Sequence, residues 1–583
     1  MKLPMLCVIL PGGITNESER FRIVTVTFFE KNLQLLSAKD PGLCARLSAA
    51  QTTLGRCTFI ESRTHRVVPA LVDGAGQAHA LHSTVDPERE AQRLAATLNE
   101  GWAEPGFVVF LGLGAAYAAA AALSSGNASH ILVIDFDING IAELLGSLIF
   151  DVLGDPRFTL LVDPDSSLIQ KTILDLYNPC LCGGIRALPL RARVEQDKEK
   201  FAIAGEAIQR AIEKVSADYS VQAHFGMRWF SNIIRNIGIA QSLNAGVSPI
   251  NTAAISDVAI CAAGPSLNAQ IPLLLERRKS LFIIAADTSL PALLAGGVKP
   301  DAVVSIDCQH ISYYHFIGTC CADIPLFLDI ASPPLLSGFS SSSFFFAGGH
   351  PLAAYLCQKW MPLPALDTSG GNVTYACLSL AEQLGACRIT VYGADFSYPL
   401  GNAYARGTYF YPLFERKQNR LSPLEACLSS FLYRSHFLPP ENEAARSKVV
   451  PCYETSSLRF YRKSFETKAS AMEAEVIAES GLGIPLEIRK TKPFSNRKAI
   501  NFTPGKALTN ANEFLAQYKN DIKALPVFER NMNLNANERQ VFTTLLPLIA
   551  AIKRRRPELA TPDLVEATKI YCCREIEQII NNK

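Results

Sequence analysis

The 583-residue chain has no run of about 20 uninterrupted apolar residues, the length a membrane-crossing helix needs, so no membrane insertion is expected. Its N-terminal apolar run, Met5–Leu10, is too short for a signal peptide and no cleavage pattern follows it. A broad excess of one charge is also missing: 56 Lys and Arg face 54 Asp and Glu, a formal net charge of +2. That balance gives no electrostatic case for a nucleic-acid partner. The dense basic run Lys553–Arg556 sits in a helical context and reads as a solvated helix end. The 16 cysteines form no regular framework. Cys180-x-Cys182, Cys320-Cys321 and Cys572-Cys573 lack zinc-ligand spacing and have no companion CxxC or HxxxH. No metal site is therefore expected, and the cysteines read as buried, reduced thiols of a cytoplasmic protein. Internal repeats and long low-complexity segments are absent; Ser337–Ser343 is only a short serine-rich turn.

What remains is ordinary globular composition, 48% hydrophobic and 19% charged, in a chain long enough for three or so domains. The most informative stretch is Val258–Leu267, Val-Ala-Ile-Cys-Ala-Ala-Gly-Pro-Ser-Leu. Its start reads as a buried strand. Gly264-Pro265-Ser266-Leu267 breaks the strand, and Ile271, Leu274 and Leu275 then recur at helical spacing. A strand–turn–helix of this kind leaves N–H groups free at the helix start, where the helix dipole favours a phosphate. The same residues also fit a plain turn with Ser266 as N-cap.

Upstream, Phe107–Leu111, Gly112-Leu113-Gly114, an alanine-rich helix over Ala115–Leu123 and Ile131–Asp135 outline a Rossmann-like unit. Its glycine fingerprint is incomplete, because Tyr117 stands where a third glycine belongs, and helix–sheet packing explains the two glycines without a ligand. Arg22–Phe29 reads as a strand and Pro87–Asn99 as a helix. Helical spacing from Gln196 to Asn244 predicts long connecting helices. Strands are then expected at Val258–Ala262, Leu281–Ala285, Ala302–Ile306, Leu326–Ile330, Ser343–Ala347 and Arg388–Tyr392, the pattern of a parallel α/β sheet. Beyond about Pro485 only helices are expected: Asn510–Leu525, Glu538–Arg556 and Asp563–Ile580. The fold class is α/β, with a Rossmann-like parallel-sheet core, a second Rossmann-like N-terminal domain and an all-helical C-terminal domain. The boundaries read 1–195, a helical connector at 196–250, the core at 251–490 and the helical domain at 491–583.

Polar residues cluster at the expected strand ends of the core. They are Gly264-Pro265-Ser266, Asp287-Thr288-Ser289, Asp307-Cys308-Gln309-His310, Gly348-Gly349-His350, Thr368-Ser369-Gly370-Gly371-Asn372, Asp395 with Tyr398, and Tyr404-Ala405-Arg406-Gly407. Each alone fits a turn or cap. Converging on one face, they suit a nucleotide-linked substrate.

Six segments in order carry a family resemblance: Ala-Ala-Gly-Pro-Ser-Leu, Ala-Ala-Asp-Thr-Ser-Leu-Pro-Ala-Leu-Leu, Gly-Val-Lys-Pro-Asp-Ala-Val-Val-Ser-Ile-Asp, Ser-Gly-Gly-Asn-Val-Thr, Leu-Gly-Ala-Cys-Arg-Ile-Thr-Val-Tyr-Gly-Ala-Asp-Phe-Ser-Tyr and Tyr-Ala-Arg-Gly-Thr. Together they resemble the motility accessory factor (Maf) glycosyltransferases and the MptE-like hydroxymethylpterin diphosphokinase domains. The core is also similar to bacterial sialyltransferases that use CMP-linked sugars. That resemblance implies a cytoplasmic transfer of a nonulosonic acid from a CMP-activated donor to Ser or Thr of flagellin. Gly264, Pro265, Ser266 and Leu267 would cradle the nucleotide, with Asp307, Gly370, Gly371, Asn372, Asp395 and Arg406 also binding the donor. Tyr398 and Tyr404, six positions apart, would assist the departing phosphate, and Asp287 joins them as a catalytic candidate. No cofactor is required, and magnesium enters with the alternative. Asp287 replaces an asparagine of the sialyltransferases, and Val449–Ser456 lacks their general-base histidine. His310, His350 and His436 lie out of register, leaving Asp287, Asp307 or Asp395 as carboxylates that could activate the acceptor. The alternatives are an MptE-like diphosphokinase using ATP and magnesium on a hydroxymethylpterin, and a non-catalytic flagellin-binding accessory factor.

Overall fold

The computed structural model describes residues 27–581 apart from 51–56, 73–75, 99, 103, 245–254, 440–450, 490–504 and 530–533. The run Met5–Leu10 and most of Arg22–Phe29 lie outside the described residues. The described end of the latter is not a strand: Phe28–Ser37 is a helix. Thr27 and Glu30 form a reciprocal capping box there, Glu30 N–H to Thr27 Oγ1 at 3.2 Å and Thr27 N–H to the Glu30 carboxylate at 2.8 Å. This local capping outweighs the β-propensity of the phenylalanines.

The chain folds as two units, one of residues 1–222 with 528–533 and 560–562, the other of 223–527, 534–559 and 563–583. In the first, strands β1 (Cys57–Glu61), β2 (Val67–Val72) and β3 (Ala78–Ala80) make a small antiparallel sheet. Strands β4 (Gly106–Leu111), β5 (Ala128–Asp135), β6 (Phe158–Val162) and β7 (Ile185–Pro189) make a parallel sheet in the order β6-β5-β4-β7. Both its faces are buried. Val108, Phe110, Ile131 and Val133 pack into one cluster, and Phe107, Val109, Leu132 and Ile134 pack against Phe201, Ala204 and Ile208 of the helix Lys198–Asn244. This is the continuous apolar character expected of a parallel sheet. The region read as several connecting helices is one uninterrupted helix of 47 residues.

The glycine loop of this unit is filled by the protein itself. Gly112 and Gly114 have φ of +104° and +53°. A Cβ on Gly112 would lie 2.9 Å from the Arg193 side chain, and one on Gly114 would lie 2.4 Å from His82 Nε2. Leu113 N–H donates to Asp135 at 2.8 Å, Ala115 N–H to His82 at 2.9 Å, and Arg193 Nε to Asp135 at 2.9 Å. The glycines admit side chains of this chain where a dinucleotide fold admits its ligand.

The second unit holds strands β8 (Asp257–Cys261), β9 (Phe282–Ala286), β10 (Ala302–Ser305), β11 (Leu326–Asp329), β12 (Ser343–Phe346) and β13 (Arg388–Tyr392). A further strand, β17 (Glu475–Ala478), completes a seven-stranded, all-parallel sheet in the order β12-β11-β10-β9-β8-β13-β17. The chain runs outward from β8 to β12, then returns to place β13 on the other side of β8. The order therefore reverses between β8 and β13, and ligands of open α/β sheets bind at the carboxyl ends of such strands. One sheet face packs Val258, Ile260, Ile284, Val304 and Phe327 against Ala376, Leu380, Phe465 and Ala469 of the helices Val373–Gln383 and Ser456–Ala471.

Three helices, Ala511–Ala524, Ala536–Arg555 and Thr561–Asn581, follow, and no strand occurs beyond β17 among the described residues. They belong almost wholly to the second unit. Tyr355 donates to Asp521 at 3.2 Å, Trp360 packs on Phe514 at 6.0 Å, and a Cβ on Gly226 would lie 1.9 Å from the Pro547 carbonyl. The described cysteines are free thiols. No helix among the described residues is long and apolar enough to cross a membrane.

Candidate functional site

The turns after β8 and β13 close directly on each other. Gly264 N–H donates to the Gly393 carbonyl at 2.8 Å. A Cβ on Gly264 would lie 2.4 Å from Asp395 Oδ2, and one on Gly393, whose φ is +64°, would lie 2.5 Å from the Ala262 carbonyl. Both positions require glycine because the backbones touch. Asp395, 4% exposed, sits at the start of the helix Leu267–Arg277. It accepts from Ser266 N–H at 2.8 Å, Ser266 Oγ at 2.5 Å and Gly483 N–H at 2.8 Å. Ser266 is therefore not a side-chain N-cap; its hydroxyl donates to Asp395 and accepts Leu482 N–H at 2.6 Å. Leu267 is buried, with its N–H on the Gly264 carbonyl at 3.0 Å, and Pro265 has no N–H to offer. An internal carboxylate thus partners the helix start where an anion is favoured.

Tyr398 lies on the short strand β14 (Tyr398–Pro399), which pairs with β16 (Cys452–Thr455) and leads the latter to β15 (Phe437–Leu438). It is flanked by Phe396 and Leu400, at φ of +42° and +53°. Left-handed backbone at bulky residues is strained and collects at functional sites. Ala405 N–H donates to the Ala263 carbonyl at 2.9 Å, which brings Tyr404 beside the β8 turn. Tyr404 faces Tyr409, Tyr398, Asp287 and Tyr461, and burial first, then these neighbours, push its pKa well up. Burial followed by Tyr461 raises that of Tyr398. Both phenols are held protonated and so remain hydrogen-bond donors.

Asp287, 1% exposed, follows β9. Its Oδ1 accepts from Thr288 N–H at 2.7 Å and Thr288 Oγ1 at 3.1 Å, and its Oδ2 from Ser305 Oγ at 2.6 Å. Asp307 follows β10 and is half-buried; Oδ1 accepts Gln309 N–H at 2.9 Å, and Gln309 Nε2 approaches Oδ2 only to 3.5 Å. Burial and the nearby Asp287 charge raise the Asp307 pKa, while Gln309 and His315 pull it down. His315 is buried against the Tyr409 ring, centroids 4.7 Å apart, with Nε2 at 3.4 Å from Thr288 Oγ1 and Nδ1 unpartnered. Gly371, at φ +70°, has room for a Cβ only at 3.1 Å from the Tyr461 ring. Gly370 abuts the Tyr375 ring, and Asn372 caps the helix Val373–Gln383 through Tyr375 N–H at 3.0 Å. Arg406 is exposed, its backbone tied on both sides to Asn268, at 2.7 and 3.1 Å.

The structure thus gathers Tyr398, Tyr404, Asp287 and Asp307 at the sheet's carboxyl edge. It adds Tyr409, Tyr461, His315 and Ser305, which sequence reasoning missed, beside Thr288, which the sequence had placed next to Asp287. Tyr461 comes from the helix Ser456–Ala471, which begins where the sequence lacks the expected histidine; Thr455 caps it through Leu458 N–H at 3.3 Å. Only the tyrosine density of 398–411 hinted at Tyr409. His310 and His436 are exposed, and His350 caps the helix Pro351–Lys359 through Leu352 N–H at 3.1 Å, with burial lowering its pKa to about 3. Among the described residues no group of three or more His, Cys, Asp or Glu is placed to hold a metal ion.

A family model described as 6-hydroxymethylpterin diphosphokinase MptE-like matches residues 231–401. An uncharacterized protein of Treponema pallidum (strain Nichols) is 38% identical over 126 residues, 22% of this chain and 43% of that protein. A second from the same organism is 37% identical over 160 residues, 26% of this chain and 74% of that protein. The match therefore spans under half of the first relative's length and about three quarters of the second's. A solved structure of a Maf glycosyltransferase from Magnetospirillum magneticum AMB-1 is similar over 95% of both chains, with a TM-score of 0.57 and 13% identity. That structure shares the fold over 95% of the chain, and the family model over residues 231–401 together with a relative 37% identical and matched over 74% of its length place this chain in the MptE-like family.

Proposed function

We propose that the chain is a glycosyltransferase that moves a nonulosonic acid from a CMP-activated donor to Ser or Thr hydroxyls of flagellin. The observation that carries this reading is the pair Tyr398 and Tyr404, both with the phenol pKa raised by burial and both beside the β8–β13 crevice. A phosphate monoester leaving group gains charge as it departs, and two phenol donors stabilise that charge without a metal. The strained backbone on either side of Tyr398 fits a position fixed for chemistry. The likeness in fold to a Maf glycosyltransferase supports the reaction class. Exposed Arg406 is placed to meet the phosphate or the sugar carboxylate.

The family model favours a second reading, diphosphate transfer from ATP to a hydroxymethylpterin. Magnesium would then come with the substrate phosphates. A titration decides between the two. Cytidine 5′-monophosphate is expected to bind tightly by calorimetry, and flagellin incubated with enzyme and CMP-nonulosonic acid is expected to gain the sugar mass. Binding of ATP with magnesium and a pterin, and none of the cytidine nucleotide, would establish the kinase instead. Flagellin binding with neither nucleotide would leave an accessory factor.

A further inference from the structure

We propose that Asp307 is the catalytic base that takes the proton of the acceptor hydroxyl, an assignment that rests on the glycosyl-transfer reading above. Three carboxylates stand at the crevice, and their bonding separates them. Asp395 is spent on the β8 turn, with three donors on its oxygens. Asp287 is 1% exposed and holds three donors from Thr288 and Ser305. Each is buried with firm donors on both of its oxygens. Asp307 is half-buried, carries one firm bond on Oδ1, and has only the 3.5 Å approach of Gln309 on Oδ2. It also faces the side from which Tyr409 and Tyr461 close on the crevice.

The step balances without a further reactant. The acceptor oxygen bonds to the anomeric carbon as the bond from that carbon to the phosphate oxygen breaks. The electron pair leaves with cytidine monophosphate, whose charge Tyr398 and Tyr404 receive, and the hydroxyl proton passes to Asp307 Oδ2. The groups facing Asp307 are Asp287 from the β9 turn, Cys308 beside it, His315 from the short helix His310–His315, Tyr409 from the loop before the helix Phe410–Glu415, and Tyr461 from Ser456–Ala471. Burial and Asp287 raise the Asp307 pKa, the direction that makes a carboxylate a better base near neutrality. The ionised form works, so the rate rises with pH through that pKa and is lost below it.

The test uses the full chain, flagellin monomer, and CMP-N-acetylneuraminate and CMP-pseudaminate as donors. Asp307→Asn is expected to lower kcat on the order of 10²–10⁴-fold while the Kd for cytidine monophosphate moves by less than about threefold. Retained nucleotide binding also shows that the variant is folded. The acid limb of the wild-type kcat/KM profile should vanish in the variant. Formate should restore part of the kcat of Asp307→Ala by supplying a base. An Asp307→Asn enzyme with unchanged kcat and weakened nucleotide binding would make Asp307 a donor ligand and overturn the proposal. So would an acid limb that persists with no response to formate. Wild-type enzyme that binds cytidine monophosphate but transfers neither sugar would instead remove the glycosyl-transfer reading itself, and the base with it.

Discussion

Tyr398 and Tyr404 differ in what surrounds them, and the difference sets what each substitution does. Tyr404 is packed among three other phenols and Asp287, while Tyr398 is shifted mainly by burial. Removing either hydroxyl takes a donor from charge that develops only as phosphate leaves. Tyr398→Phe and Tyr404→Phe are each expected to lower kcat on the order of 10²-fold with a smaller change in donor Kd. Lost affinity at unchanged kcat would make them binding residues only. Asp329 offers a test on stability. It ends β11, is 7% exposed, accepts Ala331 N–H at 2.8 Å, and burial pushes its pKa up to about 7. Its pKa is raised on folding, so the folded state holds the proton longer than the unfolded one. Stability from this group is fully present only below the unfolded-state pKa of 3.8 and is lost as pH rises through about 7. Asp329→Asn should flatten the fall in urea midpoint between pH 5 and 8; equal slopes for both proteins would contradict the burial account. At this scale the sequence revealed the types of the site residues but not their engagement. Asp287, Asp307 and Asp395 look alike in the chain. Only the donors arriving from Ser305, Thr288, Ser266 and Gly483 tell them apart, and Gly483 is 88 residues from Asp395.

Elements, more than single contacts, hold the crevice in shape. The helix Lys198–Asn244 reaches the sheet edge through two asparagines one turn apart. Asn232 Nδ2 donates to the Cys308 and Ala331 carbonyls at 3.1 and 2.8 Å, and Asn236 Nδ2 to those of Ile330 and Ser332, both at 2.8 Å. The loops after β10 and β11 are thereby fastened to one rigid rod. Asn236→Leu strips two buried carbonyls of their donor and is expected to cost about 2 kcal/mol or more in chemical denaturation. A loss within about 0.5 kcal/mol, the size of an ordinary surface change, would show that water replaces it. Opposite, Gly481-Leu482-Gly483 after β17 folds over the β8 turn. A Cβ on Gly483 would lie 2.3 Å from Asp395 Cα, so Gly483→Ala should lower the thermal midpoint and weaken cytidine monophosphate together. Strands β8 to β13 were legible because their apolar runs are buried on both faces. β17, Glu-Val-Ile-Ala, was not: four residues with a charged end carry no periodic signal, and its place comes from pairing with β13. β14 to β16 escaped for the same reason, being strands of two to four residues.

At the scale of the molecule, the two α/β units treat their glycine turns differently. In the first, Arg193, His82 and Asp135 fill the loop from within. Calorimetry is therefore expected to find one cytidine monophosphate per chain; a second equivalent lost on Gly114→Val would show that the first unit also takes nucleotide. The strand–glycine–helix–strand–acid outline was legible there, but His82, 33 positions before Ala115, and Arg193, 58 positions beyond Asp135, lie outside any local motif. The helices beyond β17 were legible as helices, while their union with the sheet unit was not. Their apolar faces predict burial without naming the surface that receives them, which Tyr355, Trp360 and Gly226 supply. That union has a consequence for biosynthesis. The central strand β8 emerges from the ribosome long before its neighbour β13 and the strand β17 beyond that, and the aromatic seat of Trp360 and Tyr355 stays uncovered until residues 511–581 have been made. The second unit can therefore complete its fold only once those residues have left the ribosome. A nascent chain stalled within that last stretch exposes a ready-made apolar patch for chaperones to hold, and ribosome-bound chains cut short there should co-purify with them while full-length chains do not.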